Sequence, residues 1–592
     1  MPVGSARIDF SDPQLPDGPR LRHAFGNPRQ ILSALGASQV RPVLDAVEAA
    51  AREGFWCVGY LRYEAAPAFD AALAAHAAQG PLAWFAVYDE ALPWPVDNKD
   101  DADSVQVQWQ AACSRAAFDT ALDSIHRAIA AGALYQVNFT APLHGVLRGE
   151  PEGDAARALF AALQRAQPGG YAAFLDTGDE HLLSVSPELF FDWHDGCLLT
   201  RPMKGTAPRG ATPAEDAALV QALRTSAKEC AENVMIVDLL RNDLSRIAEP
   251  FSVQVPRLFH TEALSTVWQM SSDVQARTRA GCSLADVFAA LFPCGSVTGA
   301  PKVSAMRMIQ ALEPEPRGVY CGAIGVVYPG ENGIRATFNV PIRTVTLRGS
   351  AATCGIGSGI TSGALAGAEW QEWRHKRAFV ERSSMPFELL ETLALENGSL
   401  RDAPVHLARM AAAAAHFGYS WSQQQVQECL QQLVQTHAKG VWRVRLLLDY
   451  RGQARAEAFV LPPSPQRVRL QLADRAFEDA HSEFVRFKTT RRAHYDAFTP
   501  VEEGVFDTLL WNAEGEITEC TRGNIALLLD GRWLTPPLHC GLLGGIGRAQ
   551  ALQAGRLSEG VVRLEDLPRV QALAFVNSLR GWLDAELDAG PR

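Results

Sequence analysis

The sequence lacks the features that would direct it to a membrane, to nucleic acid or to the cell exterior. No stretch of about 18 uninterrupted apolar residues occurs, so no membrane-spanning helix is expected. Positive charge is in deficit: 55 Lys and Arg face 66 Asp and Glu, for a net charge of -11. That argues against nucleic acid, whose phosphates need a basic surface, while leaving room for a local basic pocket around a small anion. The 11 cysteines are odd in number, scattered and without a CxxC pair. This excludes a disulfide framework or a zinc site and points to a reduced, cytoplasmic setting. The opening residues MPVGSARIDFSD show no basic region followed by an apolar run, so no secretory leader is expected. Internal repeats and low-complexity tracts are missing too, and the Ala-rich patches read as good helix formers.

What is present is enough chain for several cores. At roughly 150 residues per domain, 592 residues suggest two to four units. Residues 1–104 mix Ala-rich helical stretches with short apolar strands such as Phe55–Tyr60, and close on Pro93-Trp94-Pro95 and the acidic run Asp97–Asp101, which reads as a solvated loop. Residues 105–383 open with a helix whose Phe118, Leu122, Ile125 and Ile129 recur at helical spacing and stop at Gly132. A strand follows, with Tyr135, Val137 and Phe139 on one face and Gln136, Asn138 and Thr140 on the other; such a polar face often lines a cavity. A third segment, 385–592, begins after the polar stretch Glu381–Ser384. It carries a helix with Leu407, Met410 and Phe417, and strands over Val441–Asp449 and Phe484–Thr490.

The middle segment holds a run of distinctive clusters. In order these are Ser186-Pro187-Glu188-Leu189-Phe190; Arg201–Gly210 around Lys204; a helix from Glu229 to Leu244 that includes Glu232; Phe292–Lys302 around Thr298; Pro341–Thr344; Gly355-Ile356-Gly357-Ser358-Gly359; and a helix with Glu369, Glu372 and Lys376. Those last three fall at i, i+3 and i+7 and share one helix face. Glutamates brought together from two helices, such as Glu232 and Glu372, make the all-oxygen donor set that magnesium prefers. A glycine-rich turn lets backbone N–H groups approach a carboxylate, and Arg343 offers a fork of donors to a second one. The plainer reading of the helix is a solvated surface with a Glu372–Lys376 ion pair.

Taken in this order, the clusters resemble the chorismate-utilising enzymes, the family of anthranilate, aminodeoxychorismate, isochorismate and salicylate synthases. The resemblance covers roughly 110–382 and implies an α+β domain of layered sheets and helices. It implies magnesium held by Glu232 and Glu372 with help from Glu369, and Glu188 as the general acid for the departing C4 hydroxyl. It places Gln136, Thr298, Tyr320, Arg343, Gly357, Ser358 and Lys376 around the substrate. Water-using members carry a lysine where this chain has Gln136. A neutral amide is no strong base, so ammonia is favoured as nucleophile. Lys204 stands where anthranilate synthases have alanine, and by resemblance adds to C2 of chorismate before ammonia attacks C4. The plainer reading of Lys204 is a surface charge or an electrostatic clamp. Over Val267–Ser272 the chain also lacks the histidine that serves pyruvate elimination in anthranilate synthases.

The last segment carries His406–Met410, Arg486–Thr490, Ile517–Asn524, Leu542–Arg548 and Asn577–Gly581. Singly, these read as a surface lysine and ordinary turns. Together they resemble the fold-type IV pyridoxal-phosphate enzymes over roughly 386–583. By that resemblance Lys488, on a strand face with Phe484 and Arg486, binds the cofactor and moves the α-proton. Glu519 faces the pyridine nitrogen. Arg409 and Asn524, with the backbone at Ile546 and Gly547, complete the cofactor site. The chain departs from the family where Gly545-Ile546-Gly547-Arg548 replaces Gly-Ile-Thr-Arg, which removes a hydroxyl from the phosphate cup. The two resemblances imply consecutive reactions: chorismate to 4-amino-4-deoxychorismate, then to 4-aminobenzoate for folate with release of pyruvate. Alternatives are an anthranilate synthase fused to an aminotransferase, or a second half that is only a scaffold. No cysteine has a recognisable glutaminase setting, so ammonia is expected from a separate glutamine amidotransferase or from solution. A homodimer through the second half is an open option.

Overall fold

The computed structural model describes residues 4–15, 18–95, 106–148, 152–208, 213–263 and 267–588. The acidic run Asp97–Asp101 and the pair Arg209-Gly210 lie outside the described residues. The chain divides into two compact units, Met1–Pro386 and Phe387–Arg592.

The larger unit is built on two ten-stranded sheets. The first includes Ala6–Phe10, Gln136–Arg148, Tyr171–Asp176, His181–Ser186, Thr344–Arg348 and Ala351–Thr361; the second includes Trp56–Leu61, Ala83–Tyr88, Leu189–His194, Cys197–Arg201, Met203–Pro208, Val267–Arg277, Ala323–Gly330 and Gly333–Asn339. Many of these strands are apolar without alternation because both of their faces are covered. In Ala83–Tyr88 all six residues are buried: Ala83, Phe85 and Val87 enter one core, while Trp84, Ala86 and Tyr88 enter another. The latter core lies between the sheets and gathers Ile8, Phe10 and Tyr171 from the first with Tyr60, Trp84 and Val326 from the second. The outer face of the first sheet is covered by helices Arg115–Ala130, Glu152–Ala166, Lys302–Leu312 and Ala366–Ser383. Helices Ala37–Arg52, Ala227–Ser245 and Leu284–Leu291 cover the second. The result is four layers, helix–sheet–sheet–helix.

Residues before 104 are woven into this unit. Ala6–Phe10 pairs with Tyr171–Asp176, and Trp56–Leu61 pairs with Ala323–Gly330. The strand expected from Tyr135 begins at Gln136 instead. Tyr135 is exposed, its N–H tied to Ala300 O at 2.7 Å, whereas Val137 and Phe139 are core and Gln136, Asn138 and Thr140 are buried on the opposite face.

The smaller unit has a four-stranded antiparallel sheet, including Leu389–Glu396 and Val441–Leu448, packed under helices Ala403–Phe417 and Gln423–Thr436. A mixed eight-stranded sheet runs from Ile517–Cys520 to Ser558–Glu559. The strand expected over Phe484–Thr490 is not there. Ser482 accepts from the Phe484 N–H and caps a single helical turn, Glu483–Arg486. Phe484 and Val485, neighbours in sequence, enter two different cores. Lys488 follows in an extended segment whose carbonyl accepts from Leu390 N–H at 3.0 Å. Among the described residues no helix is long and apolar enough to cross a membrane.

One buried ion pair braces the larger unit. Arg317 grips Glu313 with bonds of 2.8 and 2.6 Å, and the Thr140 N–H donates to the same carboxylate at 2.9 Å. Both side chains are almost fully buried, so removing one leaves the other charged and unpaired. Arg317→Met is expected to cost about 3 kcal/mol, read from urea unfolding followed by tryptophan fluorescence. An Arg317→Met midpoint equal to that of the native chain would show that this pair is not a brace.

Candidate active sites

The first candidate site lies where the chain passes from one sheet to the other. Glu188 sits in the crossing from His181–Ser186 to Leu189–His194, and Arg343 in the crossing from Gly333–Asn339 to Thr344–Arg348. Glu188 is buried, accepts from Ser296 Oγ at 2.6 Å and from the Met203 N–H, and lies in the field of Lys204 and Lys376. Burial prevails over these stabilising partners and pushes its carboxyl up to about 7.

The glycine run forms one wall. Along Ala351–Thr361, Ile356 and Ile360 point into the helix-side core, which turns Gly355, Gly357 and Gly359 to the other face. A Cβ at Gly355 would lie 2.3 Å from the Tyr320 ring, and one at Gly357 2.5 Å from the Phe139 carbonyl oxygen. At Gly359 it would meet the Gln136 amide nitrogen at 2.6 Å and Lys204 Nζ at 2.7 Å, so both nitrogens border one point in space. Gln136 is fully buried, and neither side-chain polar atom has a partner among the described residues. Such a group is costly unless something fills the space before it.

Two helices bring four glutamates to this region: Glu229 and Glu232 from Ala227–Ser245, Glu369 and Glu372 from Ala366–Ser383. Ser358 donates to Glu369 at 2.7 Å and accepts from Trp373 Nε1 at 3.1 Å. Lys376 reaches Glu372 at 2.6 Å and the Gly357 carbonyl at 2.9 Å. Lys228 stands 3.9 Å from Glu232 and 4.0 Å from Glu369. Burial raises Glu229, Glu232 and Glu369, while Lys376 outweighs burial and lowers Glu372. These hard oxygen donors fit a divalent cation in their chemistry. Among the described residues, though, no three acidic, histidine or cysteine side chains are gathered at ligating spacing; lysines stand between the carboxylates.

The remaining candidates divide. Tyr320 flanks the glycine wall, and burial carries its hydroxyl well above the ordinary value. Arg343 has a left-handed backbone at φ 53, donates to Lys376 O at 2.9 Å and lies over the Phe379 ring; burial lowers it to about 10. Thr298 turns its hydroxyl back to Cys294 O at 3.0 Å and so serves its own turn. Over Val267–Ser272, where the related histidine is missing, Gln269 donates to Gly205 O at 2.8 Å, next to Lys204. Ser296 and Lys228 were not singled out by sequence reasoning. Ser296 lies inside a noted motif, but its bond to Glu188 spans 108 positions.

The second candidate site is in the smaller unit. Loss of hydration around the Lys488 ammonium, with Arg492 and Arg409 nearby, lowers it to about 8. Burial pushes Glu519 up to about 8, against donors from Tyr495 at 2.6 Å and the Leu543 N–H at 3.1 Å. Arg409 is bidentate on Glu391, at 2.7 Å for both bonds, and donates to Gly544 O at 3.2 Å; His406 adds a 2.6 Å bond to Glu391. Burial opposes ionisation of Glu391, but Arg409 and His406 hold it down to about 2. Asn524 donates to Leu543 O at 2.8 Å, and its Oδ1 would lie 2.0 Å from a Cβ at Gly545. Helix Ile546–Gln553 starts at Gly545 without a side-chain cap, leaving its first amides to an anion. A Cβ at Gly547 would come 2.7 Å from the Asn577 backbone, so the threonine of the related Gly-Ile-Thr-Arg run has no room here. An amine of lowered pKa, a buried carboxyl and an open helix N-terminus fit a phosphorylated pyridine cofactor.

The profile of the family described as chorismate binding enzyme matches residues 16–382, and that of amino-transferase class IV matches residues 388–586. The chain is similar to aminodeoxychorismate synthase component 1 of Klebsiella aerogenes, 41% identical over 264 residues, 45% of this chain and 57% of that protein. It is also similar to anthranilate synthase component 1 of Streptomyces coelicolor, 37% identical, 48% of this chain and 54% of that protein. The chain thus spans about half the length of the curated relatives it matches. The solved anthranilate synthase component I of Streptococcus pneumoniae aligns over 65% of this chain and 90% of its own, with TM-score 0.51 and 23% identity, a likeness of fold.

Glu188 binds its proton more tightly folded than unfolded. Its contribution to stability is complete below its ordinary value of 4.5 and is lost as pH rises through about 7. Glu188→Gln cannot ionise, and is expected to exceed the native chain by about 3 kcal/mol above about pH 8, with the advantage gone near pH 4. Urea midpoints across pH check this; parallel curves would show that the carboxyl is not shifted.

Proposed function

The chain belongs to the chorismate binding enzyme family, and on that premise we propose that it aminates chorismate to 4-amino-4-deoxychorismate and then releases pyruvate to give 4-aminobenzoate. The observation that carries this reading is Glu188, buried and poised near pH 7 in the field of Lys204, with Gln136 rather than a lysine across the glycine wall.

In the first reaction Glu188 gives its proton to the C4 hydroxyl, which leaves as water while Lys204 adds to C2. Ammonia then forms the C–N bond at C4, the bond to Lys204 breaks, and the amine nitrogen loses a proton. Gln136 has no basic nitrogen with which to activate water, which favours ammonia over hydroxide. Arg343, Tyr320 and the backbone at Gly357 and Ser358 orient the substrate, and Lys376 steadies Glu372. Glu232, Glu369 and Glu372 would hold a magnesium ion, which when bound supplies positive charge for the substrate's ring carboxylate. Ammonia comes from a separate glutamine amidotransferase or from solution, and the setting is cytoplasmic.

In the second reaction pyridoxal phosphate, when bound, supplies the electron sink. Lys488, with its lowered pKa, is the base that takes the proton. Glu519 would hold the ring nitrogen. Arg409, held by Glu391, and the amides of Ile546 and Gly547 would hold its phosphate, with Asn524 fixing the loop before them. Aromatisation of the ring drives release of pyruvate.

Similarity to an anthranilate synthase component supports a second reading, in which the first product is anthranilate. Lys204 and the missing histidine over Val267–Ser272 weigh against it. The test is purified protein with chorismate, ammonium, magnesium and pyridoxal phosphate, products identified by mass spectrometry. The native chain is expected to yield 4-aminobenzoate, Lys488→Ala to stop at aminodeoxychorismate, and Lys204→Ala to yield neither. Anthranilate from the native chain would sink the reading of Lys204. A native chain that stops at aminodeoxychorismate would leave the second unit a scaffold.

A further inference from the structure

Ser296 belongs to the short turn Gly295–Val297, and its hydroxyl oxygen has two neighbours. One is Glu188 Oε1 at 2.6 Å; the other is Cys294 Sγ at 3.2 Å. All three residues are buried. Burial holds the Cys294 thiol up at about 12, so it keeps its proton, and in its 3.2 Å contact with Ser296 either atom can be the donor. A serine hydroxyl has a single proton to give. The 2.6 Å bond to Glu188 takes that proton, which leaves the thiol as the donor in the longer contact. The bonds therefore run one way, from Cys294 to Ser296 to Oε1. A carboxyl proton placed on Oε1 would push the serine proton out of its bond in a dry site, and a buried donor without a partner is unfavourable.

The turn that carries Ser296 is itself pinned. Arg317 donates to Val297 O and to Asn138 O, both at 2.7 Å, while it grips Glu313. The turn that carries the hydroxyl is thus pinned by a buried ion pair that also bonds the strand opposite Gly357 and Gly359.

We propose that Ser296 is a positioning residue for Glu188: it occupies Oε1 as a donor, so the transferable proton resides on Oε2. This rests on the reading of Glu188 as the acid that helps the substrate hydroxyl leave. The hydroxyl also stabilises the ionised carboxyl, as do Lys204, Lys376 and the Met203 N–H; the Cys294 and Cys321 thiols lie nearby, and the carboxylate charge helps to keep them protonated.

The experiment is the pH–rate profile for ammonium-dependent amination of chorismate by the full chain. A general acid must be protonated, so activity falls as pH rises through the Glu188 value. Ser296→Ala removes a donor to the charged form, and is expected to move that falling limb up by about one pH unit. It should also lower kcat about tenfold, with KM for chorismate nearly unchanged, because the carboxyl is then free to rotate and its proton is no longer aimed at the leaving oxygen. Ser296→Thr keeps the hydroxyl and should restore both. Cys294→Ala, which frees the hydroxyl to turn, should move the limb in the same direction by less.

A Ser296→Ala enzyme with the native profile and kcat overturns the proposal, as does one altered only in KM. If Ser296→Ala does not fold, Cys294→Ala decides, and an unmoved limb overturns the proposal. Glu188→Gln separates the two levels. Activity retained there removes the reading of Glu188 itself, whereas an inactive Glu188→Gln beside a native-like Ser296→Ala removes only the role of Ser296.

Discussion

Where the chain leaves one sheet for the other, at Ser186–Leu189 and again at Val340–Thr344, the two crossings hold each other. Ser186 Oγ donates to Val340 O at 2.5 Å, the Val340 N–H to Glu188 O at 3.1 Å, and the Val185 N–H to Arg343 O at 3.0 Å. A crossing interrupts the ladder and leaves backbone groups that must be satisfied in a dry interior. Here each crossing satisfies the other, and the side chains at their tips, Glu188 and Arg343, are fixed as a consequence. The glycine wall, the glutamate helices and the Ser296 turn all take their places around that fixed pair. The sheets can pack this closely because their apolar strands are clothed on both faces.

Burial then sets the chemistry. The same loss of hydration that lifts Glu188 to about 7 and Glu519 to about 8 brings Lys488 down to about 8. All three end near neutrality, where a group can both hold and release a proton. The glutamate cluster is handled differently: lysines from its own helices share the charge, Lys228 between Glu232 and Glu369, Lys376 on Glu372. In the second unit Glu391 stays ionised because Arg409 and His406 surround it, and it in turn fixes where Arg409 points.

Local pattern carried a good part of this. The i, i+3, i+7 spacing of Glu369, Glu372 and Lys376 put them on one helix, and they lie on Ala366–Ser383. The run Gly544–Gly547 leads into a helix as its composition suggests. Gln136, Asn138 and Thr140 of the expected polar face are all buried. The strand through Lys488 was misread because Phe484 and Val485 are both apolar yet serve two cores. A serine cap that turns four residues into helix outweighs an alternation that short. The Thr298 hydroxyl donates within its own turn, a contact that the motif does not specify.

By itself the sequence determined the two-part order of the chain, the families it resembles, and the residue types available for chemistry, because these rest on local periodicity and on motifs read along one dimension. Only the tertiary structure decided which of those residues meet. That Ser296 donates to Glu188, that Lys204 and Gln136 face one glycine, and that Arg317 pins the Ser296 turn are contacts between distant positions. They depend on strand register and on where the chain crosses between sheets. A shift of one residue would turn each side chain to the opposite face, and neither spacing nor composition specifies that register.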